Sequence, residues 1–126
     1  MKTQYWTELA EYDIETARAM LDTKRLLYVG FMCHQAVEKI FKAYFIYLKN
    51  KTAPFSHSLS YLAKKGNFFN DLNKAQIDFI DTIEPLNIEA RYPSHKERLL
   101  NSLTEKRCKD MLEKSKELQI WIKNRL

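Results

Sequence analysis

The sequence predicts an all-α fold: an antiparallel up-and-down helical bundle of four to five helices, in a single domain over residues 1–126. Three observations predict it. Apolar residues recur at three- and four-residue spacing over long stretches. No stretch alternates apolar and polar residues as a half-buried strand would. The 126 residues include only two glycines and three prolines, too few for a fold made of many turns. Hydrophobic residues make up 45% of the chain, which excludes disorder and allows a core without disulfides or metal.

The elements follow in order. The first helix is expected from Gln4 to Asp22, capped by Thr3, with Trp6, Leu9, Ala10, Ala17, Met20 and Leu21 inward. The second runs from Leu26 to Lys49 and stops in Asn50-Lys51-Thr52-Ala53-Pro54, because proline disfavours helical geometry at the residue before it. At ~1.5 Å per residue this helix spans ~36 Å, long enough for the first and last helices to pack along most of it. A short helix from His57 to Lys65 is expected next, capped by Ser56 and stopped by Gly66-Asn67. The fourth, from Asn73 to Ile83, carries Gln76, Phe79, Ile80 and Ile83 on one side and closes at Glu84-Pro85. Residues 86–100 read as irregular. The last helix opens with the capping-box pattern Ser102-Leu103-Thr104-Glu105 and turns Cys108, Met111, Leu112, Leu118, Trp121 and Ile122 inward.

No segment reaches the ~20 apolar residues of a membrane span. The start, Met1-Lys2-Thr3-Gln4-Tyr5-Trp6, lacks the apolar stretch of a signal peptide, so a cytoplasmic protein without membrane association is expected. Cys33 and Cys108 fall on apolar faces with no neighbouring cysteine, which predicts buried free thiols. The net charge of +5 is uneven: from Lys96 onward there are nine Lys or Arg against five Asp or Glu, while the first helix is acidic. Two readings compete. Either the two helices lie side by side as complementary surfaces, the favoured reading, or the basic face attracts phosphate.

The second helix carries the most informative stretch, Phe31-Met32-Cys33-His34-Gln35-Ala36-Val37-Glu38-Lys39-Ile40. His34, Gln35, Glu38, Lys39 and Lys42 crowd the edge of its apolar stripe, where isolated polar groups would be desolvated, and this predicts a polar seam shared with another helix or chain. Asp13 sits within the apolar stripe of the first helix and needs a partner; Lys39 and Arg91 are the candidates, with an ion pair favoured over a ligand or base site.

Tyr12-Asp13-Ile14-Glu15-Thr16-Ala17, Phe31-Met32-Cys33-His34-Gln35-Ala36-Val37-Glu38-Lys39, His57-Ser58-Leu59 and Arg91-Tyr92-Pro93, in this order and spacing, resemble the HEPN domain, a small helical bundle of prokaryotes and higher eukaryotes. The resemblance covers nearly the whole chain. It implies a homodimer that often acts beside a minimal nucleotidyltransferase partner, as in toxin–antitoxin pairs, with nucleotide binding and, in some branches, RNA cleavage. RNA-cleaving members pair an Arg with a His four to six residues away on a helix. Here Arg91 and His95 are separated by three residues and Pro93 makes the segment a turn, so they rank as phosphate contacts before catalysts, and the enzyme assignment leans to no. A structural role for Arg91, pairing with Glu38 or Asp13, stands beside that reading. The expected ligand-binding set is Arg91, Tyr92 and His95 with His34, Glu38, Lys39 and Asp13. The alternatives are a metal-independent endoribonuclease working through Arg91 and His95, and a purely structural interaction domain.

Other chemistry finds little support. His34 and Glu38 are four apart and with His57 or His95 could in principle bind a metal, but no His-Glu-x-x-His motif or further ligand cluster accompanies them, so no metal and no cofactor are expected. Two glycines cannot form a phosphate-cradling loop, and His57 beside Ser58 reads as a helix start. Lys39 and Lys42 with Tyr44 nearby suggest a phosphate and base site, against which snorkelling lysines are favoured. The second helix carries Phe31, Phe41, Tyr44, Phe45 and Tyr47, more aromatics than one stripe buries, which argues for a self-association surface. Base stacking is the competing use and lacks interleaved basic residues.

Overall fold

The computed structural model of the chain describes residues 2–89, 92, 97–98 and 101–126. Among them the architecture is all-helical: α1 (Lys2–Asp22), α2 (Leu26–Lys49), α3 (Leu59–Lys65), a 3₁₀ turn (Phe69–Asp71), α4 (Lys74–Ile83), α5 (Leu86–Glu89) and α6 (Glu105–Lys123). No helix among the described residues is long and apolar enough to cross a membrane.

The bundle is organised around α2. Val29, Cys33, Val37, Phe41 and Phe45 form an i, i+4 ladder along it and Ala36, Ile40 and Tyr44 a second, all buried. α1 and α6 pack along this helix and against each other, while α3, α4 and α5 cover its remaining sides. Phe41 and Tyr44 hold Phe68 between them, with ring centroids 5.2 and 4.7 Å away. Phe41, Tyr44 and Phe45 are thus buried within the chain on several sides of α2, whereas Tyr47 remains exposed. The acidic first and basic last helices are neighbours, as the favoured reading of their charges expected, and Glu11 meets Lys123 at 3.1 Å; a second pair of the opposite sense joins Lys24, just after α1, to Glu105 at 3.4 Å. Both pairs are exposed and contribute little stability.

Several boundaries differ from the sequence reading. α1 begins at Lys2, and Thr3 lies within it, accepting a hydrogen bond from the Thr7 hydroxyl at its carbonyl. α3 begins two residues later than expected, with Ser58 as its cap. Leu86–Glu89 is a helical turn inside the stretch read as irregular. α6 is capped by Thr104, whose hydroxyl accepts from the Arg107 N–H, while Ser102 receives the Arg107 guanidinium. The left-handed residue after α3 is Asn67, with φ 62°. Gly66 is required for space: a Cβ there would lie 2.7 Å from the Phe68 ring.

Cys33 and Cys108 are free and buried. Burial pushes the Cys33 thiol up to about 12, against the opposing effect of the Ser115 hydroxyl, which excludes it as a nucleophile.

Candidate functional site

One residue on from the apolar ladder Val29-Cys33-Val37-Phe41 runs a different one: Gly30, His34, Glu38 and Lys42, also at i, i+4 spacing and also buried. Gly30 admits α5, since a Cβ there would come within 2.6 Å of the Leu86 side chain. The three residues above it are ionisable, and three chain segments supply their partners.

Glu38 is the hub. Its Oε1 lies 2.9 Å from His57 Nδ1, and its Oε2 lies 3.2 Å from Lys42 Nζ. Lys42 also stands over the Trp6 ring of α1, 5.3 Å from its centroid, a cation–π contact in a largely desolvated place. His34 is fully buried between two carboxylates: Nδ1 is 3.9 Å from Glu38 Oε1 and Nε2 is 3.5 Å from Glu84 Oε2. These are ion-pair distances without hydrogen-bond geometry, so neither ring nitrogen has a hydrogen-bond partner among the described residues. Glu84, at the end of α4, accepts the Leu59 N–H at both oxygens, 2.9 and 3.1 Å, and so caps the start of α3 from across the molecule. Burial disfavours its charge, but the neighbouring His34, the Leu59 N–H and the Ser58 hydroxyl together hold its pKa below the ordinary 4.5.

The sequence-predicted residues divide among several places. His34 and Glu38 are brought together as expected. Asp13 is buried and pairs with Lys39, the first of its two candidate partners, so the Asp13–Lys39 bond locks α1 to α2. Gln35 donates to Asn87 at 2.9 Å, tying α2 to α5. Tyr92 is exposed. Arg91 and His95 lie outside the described residues. The polar seam is shared with other parts of the chain, as expected: Lys39 meets α1, Gln35 meets α5, and His34 and Glu38 meet the end of α4 and the segment before α3. Glu84 reads in the sequence as the stop before Pro85; His57 reads as a helix start and, weakly, as a companion of His34 and Glu38, and the structure does set it beside Glu38. Their sequence separation from α2 leaves no local signal. Lys42 was named, but as a snorkelling edge residue, whereas it is buried and paired.

Chemically, the cluster holds two carboxylates, two imidazoles and an ammonium; His34, Glu38 and Lys42 are withdrawn from water, while His57 and Glu84 reach it. No group of three or more His, Cys, Asp or Glu among the described residues is arranged to hold a metal ion.

Comparison with known proteins bears on this bundle. The family model described as HEPN domain matches residues 3–125. The crystal structure of TT1696 from Thermus thermophilus is similar with a TM-score of 0.85 and 16% sequence identity, covering 99% of this chain and 98% of that one. At that identity the likeness establishes the fold. No curated protein matches the sequence.

Proposed function

Because the chain belongs to the HEPN domain family, we propose that it is a non-catalytic binding module, taking a nucleotide or other phosphorylated ligand and acting with a nucleotidyltransferase-like partner. The partnership and a toxin–antitoxin setting rest on the family resemblance. The ligand reading draws support from one observation: His34, fully buried, sits between Glu38 and Glu84 with no hydrogen bond to either ring nitrogen among the described residues. Desolvating such groups is costly, and apolar residues of similar volume usually serve a bundle as well or better. A ladder of ionisable groups at the centre of the fold is therefore explained by what it holds in place. In this reading Glu38 anchors His57 and the segment before α3, Asp13 and Lys39 set the register of α1 on α2, and Arg91, Tyr92 and His95 supply contacts to the ligand's phosphate.

Thermal unfolding with and without millimolar ATP tests the reading, since a ligand that binds only the folded state raises the melting temperature. The expected result is an increase in the native protein that Arg91→Ala abolishes, with no growth defect on expression in bacteria. Growth arrest relieved by Arg91→Ala would instead make the protein an endoribonuclease. Neither a shift nor arrest would leave an interaction scaffold.

A further inference from the structure

Two adjoining hollows flank the N-terminal end of α1 and the segment after α2. The first, of about 320 Å³, is lined by Tyr5, Trp6, Pro54 and Phe55, with Lys42 reaching it from α2. The second, of about 470 Å³, is lined by Thr3, Asn50, Lys51 and Thr52 beside Tyr47. They share Lys2, Ile46 and Thr52 and so adjoin across these side chains, and together they are taken as two compartments of one depression. Their chemistry differs. The first is walled by aromatic rings, and the second by hydroxyls, an amide and ammonium groups. Among the described residues no Asp or Glu lines either compartment, whereas the grooves elsewhere on the molecule each include acidic side chains.

We propose that this depression is a nucleotide site, in which the base stacks in the aromatic compartment against Phe55 and Trp6 and the phosphate lies in the second against Lys2 and Lys51. The inference rests on the nucleotide reading above for the class of ligand; it seats the base and the phosphate next to the ribose here, and leaves Arg91, Tyr92 and His95 as contacts to the outer phosphates of a triphosphate such as ATP. Phe55 carries it furthest. This ring is fully exposed and does not stand alone: Tyr5 and Tyr47, also exposed, line the same depression, so the apolar surface there is a group of rings. A short turn displays it: the Ser56 N–H donates to the Pro54 carbonyl at 2.9 Å, closing three residues with Phe55 at the centre. Proline precedes it and reduces the freedom of the free state, which lowers the entropic cost of ordering the ring on a ligand. Trp6 is half-buried and already faces the Lys42 ammonium, so one wall of the site is fixed before the ligand arrives. Lys51 and Lys2 are exposed and supply charge without the desolvation penalty that Lys42 has settled with Glu38. Aromatic rings with ammonium groups and no carboxylates match a flat base joined to an anion, and the combined volume suits a ligand of that size. The same segment ends at His57 on Glu38, which links the depression to the buried ladder.

The test uses Trp6 as reporter. The chain contains two tryptophans, and Trp121→Phe leaves Trp6 as the only one. In that protein AMP should quench the emission saturably, ribose 5-phosphate should not, and adenosine should quench more weakly than AMP. Phe55→Ala, a change at a fully exposed side chain, should weaken AMP binding about tenfold or more. Lys51→Ala should weaken it and flatten its salt dependence. Equal AMP affinity in Phe55→Ala, Lys51→Ala and the parent would overturn the site while leaving the nucleotide reading intact. Absence of both quenching and any ATP-induced rise in melting temperature would overturn the reading itself. Quenching by an acidic aromatic peptide with AMP inert would assign the depression to a protein partner and reject the proposal.

Discussion

Two ladders run side by side along α2, one residue out of phase, and both are buried. Val29-Cys33-Val37-Phe41-Phe45 is apolar, and Gly30-His34-Glu38-Lys42 is ionisable above its glycine. The first faces packing partners that ask only for volume and hydrophobicity. The second needs specific counter-groups from distant segments, and the fold delivers them as His57 and Glu84. The difference teaches that helical period specifies which residues leave water, while chemistry decides what each ladder is for. The apolar ladder accounts for stability, and the ionisable one is a cost the fold tolerates.

Breaking the apolar ladder should have the largest effect. Phe41→Ala removes a fully buried ring from contact with Phe68 and should destabilise the protein by about 4 kcal/mol in urea denaturation. Breaking the ionisable ladder at its hub should cost somewhat less. Glu38→Ala leaves the buried Lys42 ammonium without its carboxylate, a loss of about 3 kcal/mol, whereas the half-exposed His57 can return to water. The two variants differ in salt response: only the Glu38→Ala deficit involves charge.

Acid sharpens the comparison further. The folded pKa of Glu84 lies below its ordinary 4.5, so the folded state favours the ionised form. The stability this contributes is fully present above about pH 4.5 and is lost as pH falls through the folded value. Denaturant midpoints measured between pH 6 and pH 3 should fall more steeply for the native protein than for Glu84→Gln. The smallest expected effect is on the apolar side. With the Cys33 thiol pushed up to about 12 and both cysteines buried, a thiol reagent at pH 8 should label neither in the folded protein and both after unfolding.

How much of this was legible in the sequence follows the same division. The apolar period of α1, α2, α4 and α6 placed those helices within a few residues. The ionisable side chains on α2 stood out because they border the apolar stripe, and Asp13 announced its need for a partner within α1. Legibility ended where partners come from afar. Glu84 looks like a helix terminus before Pro85, and nothing near it signals that its carboxylate caps α3 twenty-five residues away. That long-range cap also moved the start of α3: Ser56 and Ser58 are equivalent in sequence, and the Glu84–Leu59 contact together with the Ser58–Tyr61 bond selects the second. Which aromatics of α2 are buried within the chain was hidden for a related reason, since burial on several sides of one helix depends on where α3 and the Phe68 segment return. The depression beside Phe55 was equally hidden, because its lysines and rings come from α1, α2 and the loop and interleave only in three dimensions.

The central claim is that the ionisable ladder is kept for a ligand and not for the fold. Its most direct test is the triple variant His34→Leu, Glu38→Leu, Lys42→Met, measured for unfolding free energy and for the ATP-induced rise in melting temperature. His57 and Glu84, both partly exposed, can be solvated once the ladder is apolar. The account predicts stability equal to or greater than that of the native protein, with the ATP response abolished. A loss of several kcal/mol with the ATP response intact would contradict it.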